Sequence, residues 1–435
     1  MSRKNTFIKG TLYLTIASLL TRIMGFFYRI FLSNSFGEEG VGLYQLIIPV
    51  YSLCFSIICS GIQVSLSRLI AAKHSKKTYL ISALIITLIT SVILTLFLQY
   101  NADSISLLVL HETRCEKLLI LLSYALPFSA IHSCITGYYI GKKEIHIPAM
   151  SQLFEQMIRI SSVILMYYIF TPLTAGGISL AVIGLVIGEI SSSFYCIYKH
   201  RSGHFFAPVM KISFHEFLSS GKELLLFSLP LTANRVLLNV LQSLEAVSIP
   251  TRLKMYGFPS NEALSVYGVL NGMALPCILF PSAITNSVST MLLPAIAELQ
   301  VSSSNSKKMI ALIQKIYISC FSLGSLCCLA LLVTGEFIGE HIFHSPIAGS
   351  FITTLAWICP FLYTNTSLIS VINGIGKTNV TFLFHSLSFL IRIISVFYFI
   401  PIYGIRGYLA GLLVSQLFLF LISSYYLSIY VKKIA

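Results

Sequence analysis

Charge is what this sequence has least of. Only 10% of its 435 residues are charged and 15 in all are acidic, where soluble domains carry roughly a quarter charged residues. A water-soluble enzyme or binding module of this length is therefore excluded. Ten cysteines are present, but no CxxC pair and no Cys/His spacing suited to zinc occurs, so the sequence predicts no metal site. The thiols from Cys54 to Cys359 lie mostly in apolar segments and read as small packing groups. No Gly-rich nucleotide loop is present, and the loops assigned below to the outside hold only scattered acids such as Asp103, Glu112, Glu116 and Glu262. A membrane-embedded glycosyltransferase would need a catalytic constellation that these residues do not supply. The first apolar run carries two arginines and lacks a small-residue cleavage site, so no cleavable signal peptide is expected. No soluble basic domain accompanies the net charge of +14, which removes nucleic acid as a partner and leaves topology as the reason for the excess.

What is there is apolar. Hydrophobic residues make up 56% of the chain and the mean hydropathy is +0.85, the signature of an all-α polytopic membrane protein. Cutting at charged or Pro/Gly/Asn-rich gaps gives about twelve spans of the ~20 residues that a ~30 Å core requires. They run near 10–32, 43–67, 79–99, 118–139, 148–170, 176–198, 223–249, 264–297, 309–333, 351–373, 379–400 and 407–431. The eighth contains Pro276, Pro281 and Pro294, which predicts a kink or break. With the N-terminus inside, 18 of the 29 Lys and Arg residues fall in cytoplasmic segments and only five in outer ones. The positive-inside rule then puts both termini in the cytoplasm.

The longest cytoplasmic connection, 199–222, divides the chain into six-helix lobes at 1–198 and 223–435. Its basic residues interleave with Phe205, Phe206, Ile212, Phe214 and Phe217, as in a segment lying on the inner leaflet; a plain tether explains it equally well. Ile158–Val163 in span five matches Ile391–Val396 in span eleven at an offset of 233. Six spans per half give both halves one orientation, with the substrate path expected between two pseudo-symmetric lobes.

Arginine inside the spans carries the functional signal. At about 100° per residue, Thr11, Thr15, Ser18, Arg22 and Arg29 fall within about 60° of one another. An arginine at the bilayer centre costs roughly 2.5–3.5 kcal/mol on insertion scales, so such residues face protein or water. In span two, Gln45, Ser52, Ser56, Ser60, Gln63 and Ser67 share one face. Span seven aligns Arg235, Asn239 and Gln242, with Glu245 about 80° to the side, and span eight aligns Asn271, Ser282, Asn286 and Ser289. Arg22 and Arg235 each lie about 12 residues into their spans, roughly 18 Å from the cytoplasmic end. The bland reading of the Ser, Thr, Asn and Gln residues is helix–helix hydrogen bonding. Acids well inside the spans are few: Glu155, Glu189 and Glu245. Glu155 and Arg159 stand at i, i+4 in the favourable order and read as a structural pair, while Glu245 is a candidate partner for Arg235 or Arg29. Cations outnumber anions, so an anionic ligand is expected, and phosphate suits the arginine fork.

Three stretches carry a family resemblance: LLTRIMGFFYRIFLSNSFGEEGVGLYQL at 19–46, SLPLTANRVLLNVLQSLEAVSIPTRL at 228–253 and YGVLNGMALPCILFPSAITNSVSTMLLPAIAE at 267–298. The chain resembles the oligosaccharidyl-lipid flippases of the multidrug/oligosaccharidyl-lipid/polysaccharide exporter superfamily, especially the stage V sporulation protein B group, with MurJ-type lipid II flippases as relatives. The resemblance implies two six-helix lobes in a V and arginines of each lobe's first helix holding a lipid-linked pyrophosphate. Arg22, Arg29 and Arg235 occupy those places. Many members carry two further C-terminal helices that guide the lipid tail, whereas this sequence runs to Ala435 after the twelfth span.

The combined expectation is a flippase, not an enzyme, moving a polyprenyl-pyrophosphate-linked saccharide or peptidoglycan precursor by alternating access, with no cofactor. Its partners are that lipid-linked saccharide, or lipid II, and the surrounding membrane lipids. Arg22, Arg29 and Arg235 bind phosphate; Asn239, Gln242, Asn271 and Asn286 contact sugar or peptide; Glu245 serves pairing or coupling. The rival within the superfamily, an ion-coupled multidrug antiporter for organic cations, would favour acidic cavity residues.

Overall fold

The computed structural model describes residues 3–72, 77–170, 177–201, 214–300 and 306–434, and all regular structure among them is helical. Helix α1 (Arg3–Phe55) carries the first two spans and is interrupted at Gly37, whose φ of 72° and ψ of 174° strain any residue with a Cβ. A π-turn over Ser56–Ser60 leads into α2 (Gly61–Ala72). Ile16–Ala72 covers 57 residues, about 85 Å of helix at 1.5 Å per residue, enough for two crossings of a ~30 Å core. The first half continues with α3 (Lys77–Tyr100), α4 (Cys115–Ser123), α5 (Ala125–Gly141), α6 (His146–Phe170) and α7 (Ser179–Arg201). The second half holds α8 (Phe214–Tyr256), α9 (Ser260–Gly268), α10 (Ser282–Gln300), α11 (Ser306–Phe337), α12 (Pro346–Ala356), α13 (Cys359–Gly374), α14 (Thr378–Ile394) and α15 (Ile405–Ile434).

These helices account for the twelve expected crossings. Among the described residues nine helical stretches are long and apolar enough to span alone, and α12 with α13, bent by 56°, supply a tenth. Counting the Ile16–Ala72 run twice adds one. Helix α6 adds the last, its apolar signal diluted by Glu155 and Arg159. The eighth span breaks where proline was expected to break it: helix stops at Leu279 and restarts at Ser282 across Phe280 and Pro281. Pro294 is accommodated within α10.

The helices gather into two compact units, Met1–Tyr28 with Leu43–Val247, and Arg29–Gly42 with Ser248–Ala435. Hydrogen bonds explain why the start of α8 belongs to the first unit. Tyr79 Oη donates to Glu223 Oε2 at 2.6 Å and Ser82 Oγ to the Phe217 carbonyl at 3.3 Å. In the second unit, Ser33 Oγ donates to the Phe343 carbonyl at 3.4 Å and Asn34 Nδ2 to that of Ile342 at 3.1 Å, which ties residues 29–42 there. Of the connection at 199–222, residues 202–213 lie outside the described residues, and with them Phe205, Phe206 and Ile212.

Each unit has its own core. Leu66, Leu80, Tyr138 and Leu224 are fully buried together in the first, and Ile296, Val371 and Ile372 in the second. All ten cysteines are unpaired, nine buried and Cys327 half-buried. They pack as small apolar residues.

Candidate functional site

Helix α1 presents Arg22 on an exposed face, one turn after exposed Ser18; the side chains of Thr11 and Thr15 lie outside the described residues. The neighbouring Thr21 hydroxyl turns back to its own helix, donating to the Ala17 carbonyl at 3.0 Å. Arg22 has no hydrogen bond or ion pair among the described residues. Arg29 is half-buried and engaged with its surroundings.

Helix α8 repeats the pattern. Arg235 and Gln242 are exposed, and Arg235 likewise has no hydrogen bond or ion pair among the described residues. Between them, half-buried Asn239 faces the second span, where its Nδ2 donates to Ser56 Oγ and to the Ser52 carbonyl at 3.3 Å. One turn on, Ser243 Oγ donates to the Asn239 carbonyl at 2.8 Å and lies 3.3 Å from the Pro49 carbonyl. Gly61 completes this seam: a Cβ there would stand 2.6 Å from the Ser228 carbonyl oxygen and 2.9 Å from Thr232 N, so only glycine lets α8 approach. Glu245 is buried and engaged.

The first unit thus holds Arg22, Arg235, Asn239, Gln242 and Glu245, and the second holds Arg29, Asn271 and Asn286. Asn271 and Asn286 are half-buried, with long 3.5 Å bonds to the Tyr267 carbonyl and to Ser282 Oγ inside their own helices. The second unit also contains a cleft of about 1040 Å³ lined by Tyr256, Phe258, Ile394, Phe399, Tyr403 and Arg406.

A second polar group lies in the interior of the first unit. The ion pair Glu155–Arg159 forms as its spacing requires, from Arg159 Nη2 to Glu155 Oε1. Around it stand Glu189 of α7, His132 of α5 and Tyr51 of α1. His132 Nδ1 is 3.7 Å from both Glu155 Oε2 and Glu189 Oε2, and Tyr51 Oη donates to Glu189 Oε1 at 2.8 Å. Glu155, Arg159 and Glu189 are singled out in the sequence reading above; His132 and Tyr51 are not. An ionisable residue at membrane depth is the signal that marks His132, and nothing in the sequence marks Tyr51.

The physics separates the two groups. Arg159 has a carboxylate, so its burial is compensated. Arg22 and Arg235 have none among the described residues, and a guanidinium facing hydrocarbon costs several kcal/mol. Such faces are stable against water or protein rather than against hydrocarbon.

Comparison with known proteins agrees with this architecture. Residues 7–300 match the family model described as polysaccharide biosynthesis protein. The chain is similar to stage V sporulation protein B of Bacillus subtilis (strain 168), 34% identical over 311 residues that make up 68% of this chain and 59% of that protein. It is also similar to lipid II flippase MurJ of the same organism, 26% identical over 189 residues, 40% of this chain and 35% of that one. The chain thus matches less than two thirds of either relative's length. Among solved structures, it superposes on lipid II flippase MurJ in an inward closed conformation with a TM-score of 0.74 at 17% identity, covering 96% of this chain and 87% of that one. An inward-facing multidrug resistance MATE family transporter of the MOP superfamily gives 0.72 at 14% identity, covering 96% and 95%. The fold is the one those solved structures share, and the resemblance carried by 19–46, 228–253 and 267–298 holds.

Proposed function

Because the chain belongs to the polysaccharide biosynthesis protein family, we propose that it is a flippase that carries a polyprenyl-pyrophosphate-linked saccharide or peptidoglycan precursor across the cytoplasmic membrane. The observation that carries this reading is the pair of exposed arginines, Arg22 and Arg235, within membrane-crossing helices and without acidic partners among the described residues. Two uncompensated guanidinium groups select for an anion, and their planar forks match phosphate oxygens bidentately. The similarity to lipid II flippase MurJ supports a lipid-linked substrate.

In this reading Arg22, Arg29 and Arg235 take the pyrophosphate, and the lipid tail stays in the bilayer. Among the amides proposed to meet sugar or peptide, exposed Gln242 is best placed. Asn271 and Asn286 hold only long bonds within their helices, while Asn239 would exchange its bonds to Ser52 and Ser56 for substrate. Glu245, buried beside this face, serves pairing or coupling. The lobes 1–198 and 223–435 would alternate access, with both termini cytoplasmic as the lysine and arginine asymmetry favours. No covalent step is involved.

Binding of the purified protein to lipid II and to a lipid-linked oligosaccharide tests the reading, comparing wild type with Arg22→Ala and Arg235→Ala at equal folded yield. Loss of tight binding in both variants is the expected result. Absence of binding to either lipid, or binding that ignores both arginines while an organic cation is transported, overturns it in favour of an antiporter.

A further inference from the structure

The interior of the first unit holds a group of titratable side chains that the arginine faces do not use. Tyr51 comes from α1, His132 from α5, Ser151, Glu155 and Arg159 from α6, and Glu189 from α7. Arg159 Nη2 donates to Glu155 Oε1, and Tyr51 Oη donates to Glu189 Oε1 at 2.8 Å. Ser151 Oγ gives its single hydrogen to the Pro148 carbonyl at 2.9 Å. With the Ser151 hydrogen on the Pro148 carbonyl, the 3.0 Å contact between Ser151 Oγ and His132 Nε2 is made by Nε2–H donating to the hydroxyl oxygen.

With the hydrogen on Nε2, His132 Nδ1 is a bare lone pair, and it faces Glu155 Oε2 and Glu189 Oε2 at 3.7 Å each. Three acceptors converge with no hydrogen between them. Glu189 is only 6% exposed, and its Oε2 is buried without a hydrogen-bond partner among the described residues. Charge points the same way: two carboxylates against one guanidinium leave one buried negative charge, which is costly in a low-dielectric interior. Among the described residues the other titratable groups facing the cluster are the phenols of Tyr28 and Tyr44 and the thiols of Cys59 and Cys196, and none of these supplies a positive charge. One added positive charge makes the cluster neutral. A divalent ion would overshoot beside Arg159, and sodium prefers oxygen to an imidazole nitrogen.

We propose that His132 Nδ1, Glu155 Oε2 and Glu189 Oε2 form a binding site for one exchangeable proton inside the first unit. The proton arrives from water and forms an N–H or O–H bond within the triad, raising the cluster's charge by one; on release it returns to water. Ser151 is a positioning residue, since it holds the imidazole in the tautomer that aims Nδ1 at the carboxylates. If the chain is a flippase, proton occupancy gives its cycle a driving ion. The site itself does not depend on that reading.

The test reads the proton directly. The full chain, with 15N-labelled histidine, is placed in lipid nanodiscs and followed by NMR from about pH 5 to 9, the range in which histidine titrates. The His132 signals are assigned by their loss in His132→Gln. The expected result is an Nε2 that stays protonated throughout and an Nδ1 that passes through one proton transition. Glu189→Gln should move that transition at least tenfold in proton concentration, and Ser151→Ala should scramble the tautomer without changing the cluster's charge. An Nδ1 protonated at every pH, or a transition unmoved by Glu189→Gln, overturns the proposal. So does displacement of the Nδ1 proton by added Zn2+ or Na+ at constant pH, which would make the triad a metal site. If Glu189→Gln does not fold, Ser151→Ala decides alone: an unchanged tautomer sinks the assignment. No substrate is used, so this result stands or falls apart from the lipid-binding experiment.

Discussion

Tyr51 Oη donates a 2.8 Å hydrogen bond to Glu189 Oε1, and the other oxygen of that carboxylate has no hydrogen-bond partner among the described residues. Among the described residues the phenol is thus the neutral donor that holds this buried carboxylate in place. Tyr51→Phe keeps the ring and removes the donor. We expect a loss of about 1.5–3 kcal/mol, the range for a hydrogen bond to a charged group, read as a lowered thermal midpoint in detergent. An unchanged midpoint would show that Glu189 is held by other means.

Glu155 and Arg159 are each about four-fifths buried or more. Removing either partner alone leaves an uncompensated charge and should cost about 3–5 kcal/mol, whereas replacing both with apolar residues of similar volume should cost far less. Glu155→Leu, Arg159→Met and the double variant form the cycle, with folded yield and thermal midpoint as the readouts. Strictly additive losses would mean the pair is not an energetic unit.

The seam between α2 and α8 depends on Gly61. Gly61→Ala pushes a methyl group against the Ser228 carbonyl and Thr232 N, at 2.6 and 2.9 Å, and overpacking of this kind costs about 1–3 kcal/mol. Gly177→Ala, with nothing within 4 Å of its added Cβ, is the control. Equal midpoints for the two variants would show that α8 stands off from the second span.

Arg22→Lys keeps the charge but loses the fork. If Arg22 grips a pyrophosphate through two parallel hydrogen bonds, this variant should weaken lipid II binding about tenfold, or about 1.4 kcal/mol. Wild-type affinity would mean that the contact is one of charge alone.

The span pattern was legible because hydrophobicity is read residue by residue: about twelve crossings, the break at Pro281 and the Glu155–Arg159 pair are all local in sequence. The destination of a polar face was not. Asn239 sits on the same stripe as Arg235 and Gln242, yet its amide is taken up by Ser52 and Ser56, because a stripe shows which residues share a side and not which helix meets it. The repeat between spans five and eleven does not extend to the ion pair. Arg159 and Arg392 align, but Ser388 stands where the repeat places Glu155, and Arg392 lies instead over the Phe389 ring at 4.6 Å. Tyr51 and His132 reach the ionic cluster from helices distant in sequence, so only tertiary packing brings them together.

The ten unpaired thiols have a consequence beyond packing. Nine are buried and the tenth is half-buried, so no sulfur stands free at the surface as a ready nucleophile. Oxidants, alkylating agents and thiol–disulfide exchange act on accessible thiolates. The folded chain should therefore be indifferent to redox conditions on both sides of the membrane. A single cysteine placed at an exposed position such as Gln242 would then report water access there against a silent background.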